Sequence, residues 1–336
     1  MGPGSSLLIF IVIISLIYFS WRLYNTPWFI QNILHTRKEQ IEDILKQLFH
    51  VEQSGKAASF QAMAGALSMS NKKLVRLVEE MSTRGLLRIE DEKLLLTEIG
   101  RDYAVRIVRV HRLWEKYLSE NTGFHPSEWH DIAEKKEHQL SREQAKQLSD
   151  VLGHPRFDPH GDPIPTDKGE IITPEWTPLP ALSENQVARI VHIEDEPETI
   201  YKHIISRKLH RGSQLRVISS TDKHVLFESE GIKHRLSPIV ASNINVEPLS
   251  QQEMYEAGTV RLTSLEPGEK GKILTINSES RGAARRRLLD LGFVNGSEVQ
   301  VAFENPLKEP KAYLIRNTLV ALRNSQSDHI LIEKIK

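Results

Sequence analysis

Cysteine is absent from this 336-residue chain, which excludes disulfides, zinc ribbons, thiol nucleophiles and cysteine-ligated iron–sulfur clusters. Net charge is absent too: 44 Lys and Arg offset 44 Asp and Glu, so any basic surface must be local. Aromatic residues are sparse at 7%. No glycine loop of the nucleotide-binding kind and no nucleophile elbow occurs, and no catalytic residue can be named. What remains plentiful is histidine, 14 in all, alongside the carboxylates. Those donors suit harder metals than thiolates do. With 39% hydrophobic and 26% charged residues, most of the chain reads as globular protein, long enough for two or three domains.

One stretch departs from the average. Residues 5–21 read SSLLIFIVIISLIYFSW, and the first charge after them is Arg22. Seventeen apolar or uncharged residues are at the short end for a membrane-spanning helix, and Trp21, Tyr24 and Trp28 stand where interfacial aromatics would lie. A buried core helix is the competing reading. No Lys or Arg precedes the run and no small-residue cleavage pattern follows it, which disfavours a removed signal peptide. The expectation is an anchor over 5–24, single-pass in the cytoplasmic (inner) membrane. Arg22, Arg37 and Lys38 place the soluble domains in the cytoplasm.

Beyond it, KEQIEDILKQLF (38–49) has Ile41, Ile44, Leu45 and Leu48 at helical spacing. A short helix fits 60–67. Ser68 or Ser70 can cap a third over 71–83, which Gly85 ends. Two short strands, 86–89 and 94–97, then flank a turn. Helix, helix, turn, helix and hairpin is the order of a winged helix-turn-helix, whose reading helix enters the major groove. Ser70, Asn71, Lys72, Lys73 and Arg76 on its polar start are of the types that contact phosphates and base edges. The same outline also fits a small helical domain whose basic face is solvated or touches protein.

The next segment carries metal-type chemistry. His111 and Glu115 are four apart on a long helix starting near Gly100. His130, Glu134, Glu137 and His138 follow at relative spacings 0, 4, 7 and 8, on one helix face. Nitrogen and oxygen donors without sulfur favour Mn(II) or Fe(II) over structural zinc. A charged, solvated helix face is the alternative.

HRLWEKYL (111–118), EWHDIAEKKEHQLS (128–141) and LGHPRFDPHGDPIP (152–165) together resemble the diphtheria-toxin-repressor family of metal-dependent transcription regulators, which includes the manganese transport regulators. The resemblance covers about 41–165. It implies a homodimeric DNA-binding repressor of metal-uptake genes, with Mn(II) or Fe(II) as corepressor and operator DNA as partner. It also implies that Glu134, Glu137, His138, His111 and Asp43 match metal ligands, as do Glu115 and His130 in members with an ancillary site. Lys46 stands where manganese-type members have a carboxylate. A protonated lysine cannot ligate, so one metal per subunit or a shifted ligand set is implied. Because the family is also found fused to permeases of metal transporters, the alternative is a membrane-bound sensor that regulates a transporter permease by contact, with DNA binding weak or lost.

Residues 155–181 hold seven prolines and read as a linker. After it an internal repeat appears: RIVHIEDE at 189 against KILTINSE at 272, and RGSQLRV at 211 against NGSEVQV at 295. The second copy resembles the FeoA-type domain of ferrous-iron transport proteins. The expected architecture is a mainly α N-terminal half followed by two small FeoA-like β-barrels. Its parts are the transmembrane helix (5–24), a winged helix-turn-helix (37–100) and a helical dimerisation and metal domain (101–154). The linker (155–181) leads to barrels over 182–249 and 256–336.

Overall fold

The computed structural model describes residues 27–250, 259–277 and 279–335. The chain divides into two compact units, 1–109 with 137–140, and 110–136 with 141–336.

In the first unit, α1 (Pro27–Gln53) buries Ile41, Ile44, Leu45 and Leu48, the residues that recur at helical spacing. Burying four such side chains contributes on the order of 6–10 kcal/mol before entropy. α2 (Phe60–Ala66) is capped by Ser59, whose side chain accepts from Ala62 N. Ser70 does the same for α3 (Asn71–Thr83), accepting from Lys73 N. Leu74, Leu77, Val78 and Met81 form the buried stripe of α3. The helix stops at Gly85, whose φ of +69° lets Leu86 N reach back to Met81 O. β1 (Ala58–Ser59), β2 (Leu87–Glu90) and β3 (Lys93–Leu96) form a sheet of order β1-β3-β2. α4 (Glu98–Asn121) begins here, and Gly100 is required: a Cβ on it would lie 1.8 Å from Leu86 O.

The second unit holds the rest of α4, α5 (Trp129–Glu137) up to Lys136, and α6 (Arg142–Val151). Two antiparallel six-stranded sheets follow. The first comprises β4 (Thr177–Pro178), β5 (Val187–Ile193), β6 (Gln214–Ser220), β7 (Val225–Ser229), β8 (Ile232–Leu236) and β9 (Ile244–Leu249). Its order is β4-β9-β5-β6-β7-β8. α7 (Glu198–Ile205) sits between β5 and β6, and α8 (Pro238–Ala241) precedes β9. The second sheet comprises β10 (Thr259–Arg261), β11 (Lys270–Ile276), β12 (Glu298–Glu304), β13 (Lys311–Ile315), β14 (Thr318–Leu322) and β15 (Ile330–Ile335). Its order, β10-β15-β11-β12-β13-β14, is the same, with α9 (Gly282–Asp290) and α10 (Asn324–Ser327) in the matching places.

The repeat extends to irregularities. β5 and β11 each slip register against their last-strand partner, between Ile190 and His192 and between Ile273 and Thr275. β6 and β12 slip between Val217 and Ser219 and between Val301 and Phe303. Each sheet encloses its own apolar cluster, with Phe227 central to one and Phe293 and Tyr313 to the other.

Two expectations are corrected. The β units are not barrels: in each sheet the first and last strands of the order remain separate edges, so neither sheet closes. Among the described residues no helix is long and apolar enough to cross a membrane. That overturns the transmembrane helix as part of the fold and, with it, the inner-membrane placement. The run 5–24 on which both rested lies outside the described residues.

Candidate metal centre

Two clusters of nitrogen and oxygen donors form, one within each unit. In the first unit, Asp43 on α1 groups with Glu137 and His138. α5 ends at Glu137, so His138 sits in the turn just beyond it. Its Nε2 lies 3.2 Å from Asp43 Oδ1 and 3.7 Å from Glu137 Oε1, and its Nδ1 lies 2.7 Å from Glu42 Oε2. Burial alone would push the imidazole down. Hydrogen bonds to Asp43 and Glu42 and the charge of Glu137 outweigh it and raise His138 to about 9. A positive charge is thus favoured where these side chains meet. Tyr103 donates to Glu42, and burial followed by that carboxylate pushes the phenol up. Lys38 Nζ donates to His138 O at 2.9 Å. Lys46 Nζ lies 2.9 Å from Glu137 Oε2, with the pair 12% and 1% exposed.

In the second unit, Glu115 is the hub. His111 and Glu115, one turn apart on α4, project to the same face. Glu115 Oε1 lies 3.1 Å from His111 Nε2, 3.5 Å from His130 Nδ1 and 3.6 Å from His160 Nε2. His130 Nδ1 is also 3.0 Å from Asp195 Oδ2. His111, Glu115 and His130 form one grouping, and Glu115, His160 and Asp195 a second. Glu115 Oε1 and His160 Nε2 are buried with no hydrogen-bond partner among the described residues. Ligands about 2.1 Å from a shared ion stand roughly 3–3.5 Å apart, so this spacing and these orphaned atoms fit a divalent cation. Burial would raise the Glu115 carboxyl, but the charges of His111 and His160 hold it well below the ordinary range. Burial opposes charge on His160 too, yet Glu115 lifts it to about 10.

His160 is placed by a tight loop. Asp158 Oδ1 accepts the backbone N–H groups of His160, Gly161 and Asp162 at 2.9, 2.8 and 2.9 Å. Phe157 bridges to Pro163 across it. Arg112, one residue past His111, donates to Pro163 O and to Asp162 Oδ1.

The residues singled out in the sequence divide between the clusters. Asp43, Glu137 and His138 come together in one; His111, Glu115 and His130 in the other. Glu134, on the same stripe, is 52% exposed and stands 3.5 Å from His130 Nε2. Glu42, His160 and Asp195 were not singled out. His160 sits between Asp158 and Asp162 beside a glycine, a pattern that could have flagged it, and Glu42 adjoins Asp43. Asp195 had no local signal. Ser70, Asn71, Lys72, Lys73 and Arg76 are all exposed, away from the buried stripe of α3.

Comparison with known proteins agrees with this architecture. Residues 97–166 match the family described as "Iron dependent repressor, metal binding and dimerisation domain", and residues 260–334 match the "FeoA domain". The diphtheria toxin repressor of Corynebacterium glutamicum is 31% identical over 164 residues, 46% of this chain and 71% of that protein. The iron-dependent repressor IdeR of Mycobacterium tuberculosis (strain ATCC 25618 / H37Rv) is 34% identical over 125 residues, 37% of this chain. There the chain spans about half of the relative, 54% of its length. A solved structure titled "Manganese-dependent transcriptional repressor complex with manganese" superposes with a TM-score of 0.55 at 27% identity, covering 61% of this chain and 99% of that one. The chain belongs to the diphtheria-toxin-repressor family of metal-dependent regulators.

Proposed function

We propose that this protein is a homodimeric, DNA-binding transcriptional repressor that takes Mn(II) or Fe(II) as corepressor and controls metal-uptake genes. The observation that carries the reading is the grouping of Asp43, from the first helix of the helix–hairpin unit, with Glu137 and His138, from the far end of α5. A cation there supplies positive charge that three facing acceptors share. Asp43, Glu137 and His138 would hold it, and Glu42 orients His138 through Nδ1. His111, Glu115, His130, His160 and Asp195 would hold a second ion in the other unit. Glu134 is assigned to its margin, next to His130. Sulfur-free donor sets of this kind suit Mn(II) and Fe(II).

Lys46 bears on the number of ions. Its ammonium takes one side of Glu137 and supplies in fixed form the charge that a second cation would bring. One ion is therefore assigned to the Asp43 cluster. α3 is the reading element, with Ser70, Asn71, Lys72, Lys73 and Arg76 against the duplex. Cation binding would favour the DNA-competent arrangement by tying Asp43 of α1 to Glu137 and His138. The full chain should retard DNA from upstream of its own gene in a gel when Mn(II), or anaerobic Fe(II), is present, and release it on chelation. Glu137→Ala with His138→Ala should remove that metal response. Metal-independent retardation, or an unaltered response in the double variant, would overturn the reading.

A further inference from the structure

A cavity of about 660 Å3 opens in the second unit, lined by the end of α4, the loop before β6, and the β11–α9 connection. The metal clusters do not use it. Its charged lining is unbalanced: Lys116, Arg211, Arg281 and Arg285 against Glu120 and Glu230. Both acids are already engaged. Glu120 pairs with Lys116 at 2.8 Å, and Glu230 accepts from Arg261 and Ser213. His210, also at the wall, lies 3.4 Å from Glu230.

The β11–α9 connection brings donors to this wall. α9 spans nine residues, its N-cap Arg281 makes no side-chain cap hydrogen bond, and Gly282 and Arg285 of its first turn line the cavity. Ser280, 3% exposed, and Asn277, 5% exposed, both line the cavity. Ser280 Oγ and Asn277 Nδ2 have no hydrogen-bond partner among the described residues. Leaving such buried groups unmatched is costly, which marks them as set for a ligand. Arg285 stiffens the connection by donating to Ile276 O at 2.8 Å and Asn277 O at 3.1 Å. Gly282 is pressed so closely on Glu120 O that a Cβ would lie 2.4 Å from it. Arg281 is packed over the Trp129 ring, 5.8 Å from its centroid.

We infer that this cavity is a binding site for a small phosphate-bearing anion. Arg211 and Arg281 supply the charge, and Ser280, Asn277 and the start of α9 supply the hydrogen bonds. Burial disfavours the Arg281 cation first; the Glu120 carboxylate offsets part of that, and the like charge of Arg211 adds to it, a repulsion that an anion between them relieves. The volume exceeds what inorganic phosphate needs and lies in the range of small-molecule sites. A phosphorylated metabolite therefore fits better than the bare ion. The buried Ser280 and Asn277 at its wall distinguish it from the flat charged surface that follows a DNA backbone.

The test is calorimetric titration of the full chain, in metal-free buffer at constant ionic strength, with inorganic phosphate, ribose 5-phosphate and ribose. Saturable binding of either phosphate, and none of ribose, is expected. Tighter binding of ribose 5-phosphate identifies the occupant as a phosphorylated small molecule, and tighter binding of inorganic phosphate identifies the ion itself. Arg281→Gln should weaken binding roughly tenfold or more, and Ser280→Ala severalfold, with circular dichroism unchanged for the latter. No saturation up to about 10 mM, ribose binding as well as its phosphate, or full affinity retained in Ser280→Ala and Arg281→Gln would overturn the assignment.

Discussion

Replacing Lys46 by Met probes the Asp43 cluster most directly. In the metal-free protein the ammonium is the fixed partner of Glu137, 2.9 Å away and with the carboxylate 1% exposed. Met keeps the stem and removes the charge. His138, whose Nε2 is 3.7 Å from Glu137 Oε1, compensates only part of the carboxylate's charge. Removing one partner of a buried ion pair costs about 3 kcal/mol at the lower end of measured cases. For a unit of roughly 100 residues that lowers Tm by about 10 °C or more. A divalent ion at Asp43, Glu137 and His138 restores the missing charge, so the variant should regain most of that loss on binding. Each tenfold in affinity is about 1.4 kcal/mol, so Mn(II) should bind the variant up to roughly a hundredfold more tightly than the parent. Differential scanning calorimetry with and without chelator, and Mn(II) titration by calorimetry, measure both sides. A chelated Tm within about 1 °C of the parent, with unchanged Mn(II) affinity, would show that Lys46 neither stabilises Glu137 nor competes with a cation.

Two further outcomes follow from the same geometry. His138 and His160 are held above the ordinary imidazole value of 6.5, at about 9 and about 10. Their contribution to stability is therefore complete below about pH 6.5 and is lost as pH rises through those values. Urea unfolding in chelator should show a chain less stable at pH 10 than at pH 6, whereas Mn(II) affinity should rise over that interval because ligating imidazoles must be neutral. Greater metal-free stability at pH 10 would contradict the assigned protonation. On α3, Lys73→Ala with Arg76→Ala should weaken operator binding and reduce the salt dependence of log K by about one to two units, read from gel shifts at several salt concentrations. An unchanged slope would remove α3 from the phosphate contacts.

Local periodicity carried much of this structure. The stripe of Ile41, Ile44, Leu45 and Leu48, the cap at Ser70, the stop at Gly85 and the hairpin between 87 and 96 are encoded within a few residues each. The repeat was legible because both copies keep the same strand motifs. Closure was not: alternation within a strand says which face is buried, and nothing about whether the two edge strands meet. The metal residues divide in the same way. His111 with Glu115, and Glu137 with His138, are neighbours on or beside one helix, so spacing finds them. His160 and Asp195 reach Glu115 from 45 and 80 residues along the chain, a convergence that no periodicity records. The stripe from His130 to His138 also looked like one ligand set. It serves two: His130 and Glu134 stand at one cluster, while Glu137, the last residue of α5, and His138 just beyond it join Asp43 at the other.

The two sheets share strand order, inserted helices and even the positions of their register slips, so one backbone plan has been used twice. Its corner after the second strand is furnished differently in the two copies. In the first copy that corner bears Asp195, an acid beside His130; in the second it bears Glu279, an acid beside His329, together with Asn277, Ser280 and Arg281 at the wall of a hollow. Duplication of a single module can thus furnish one protein with two differently equipped corners on the same order of strands.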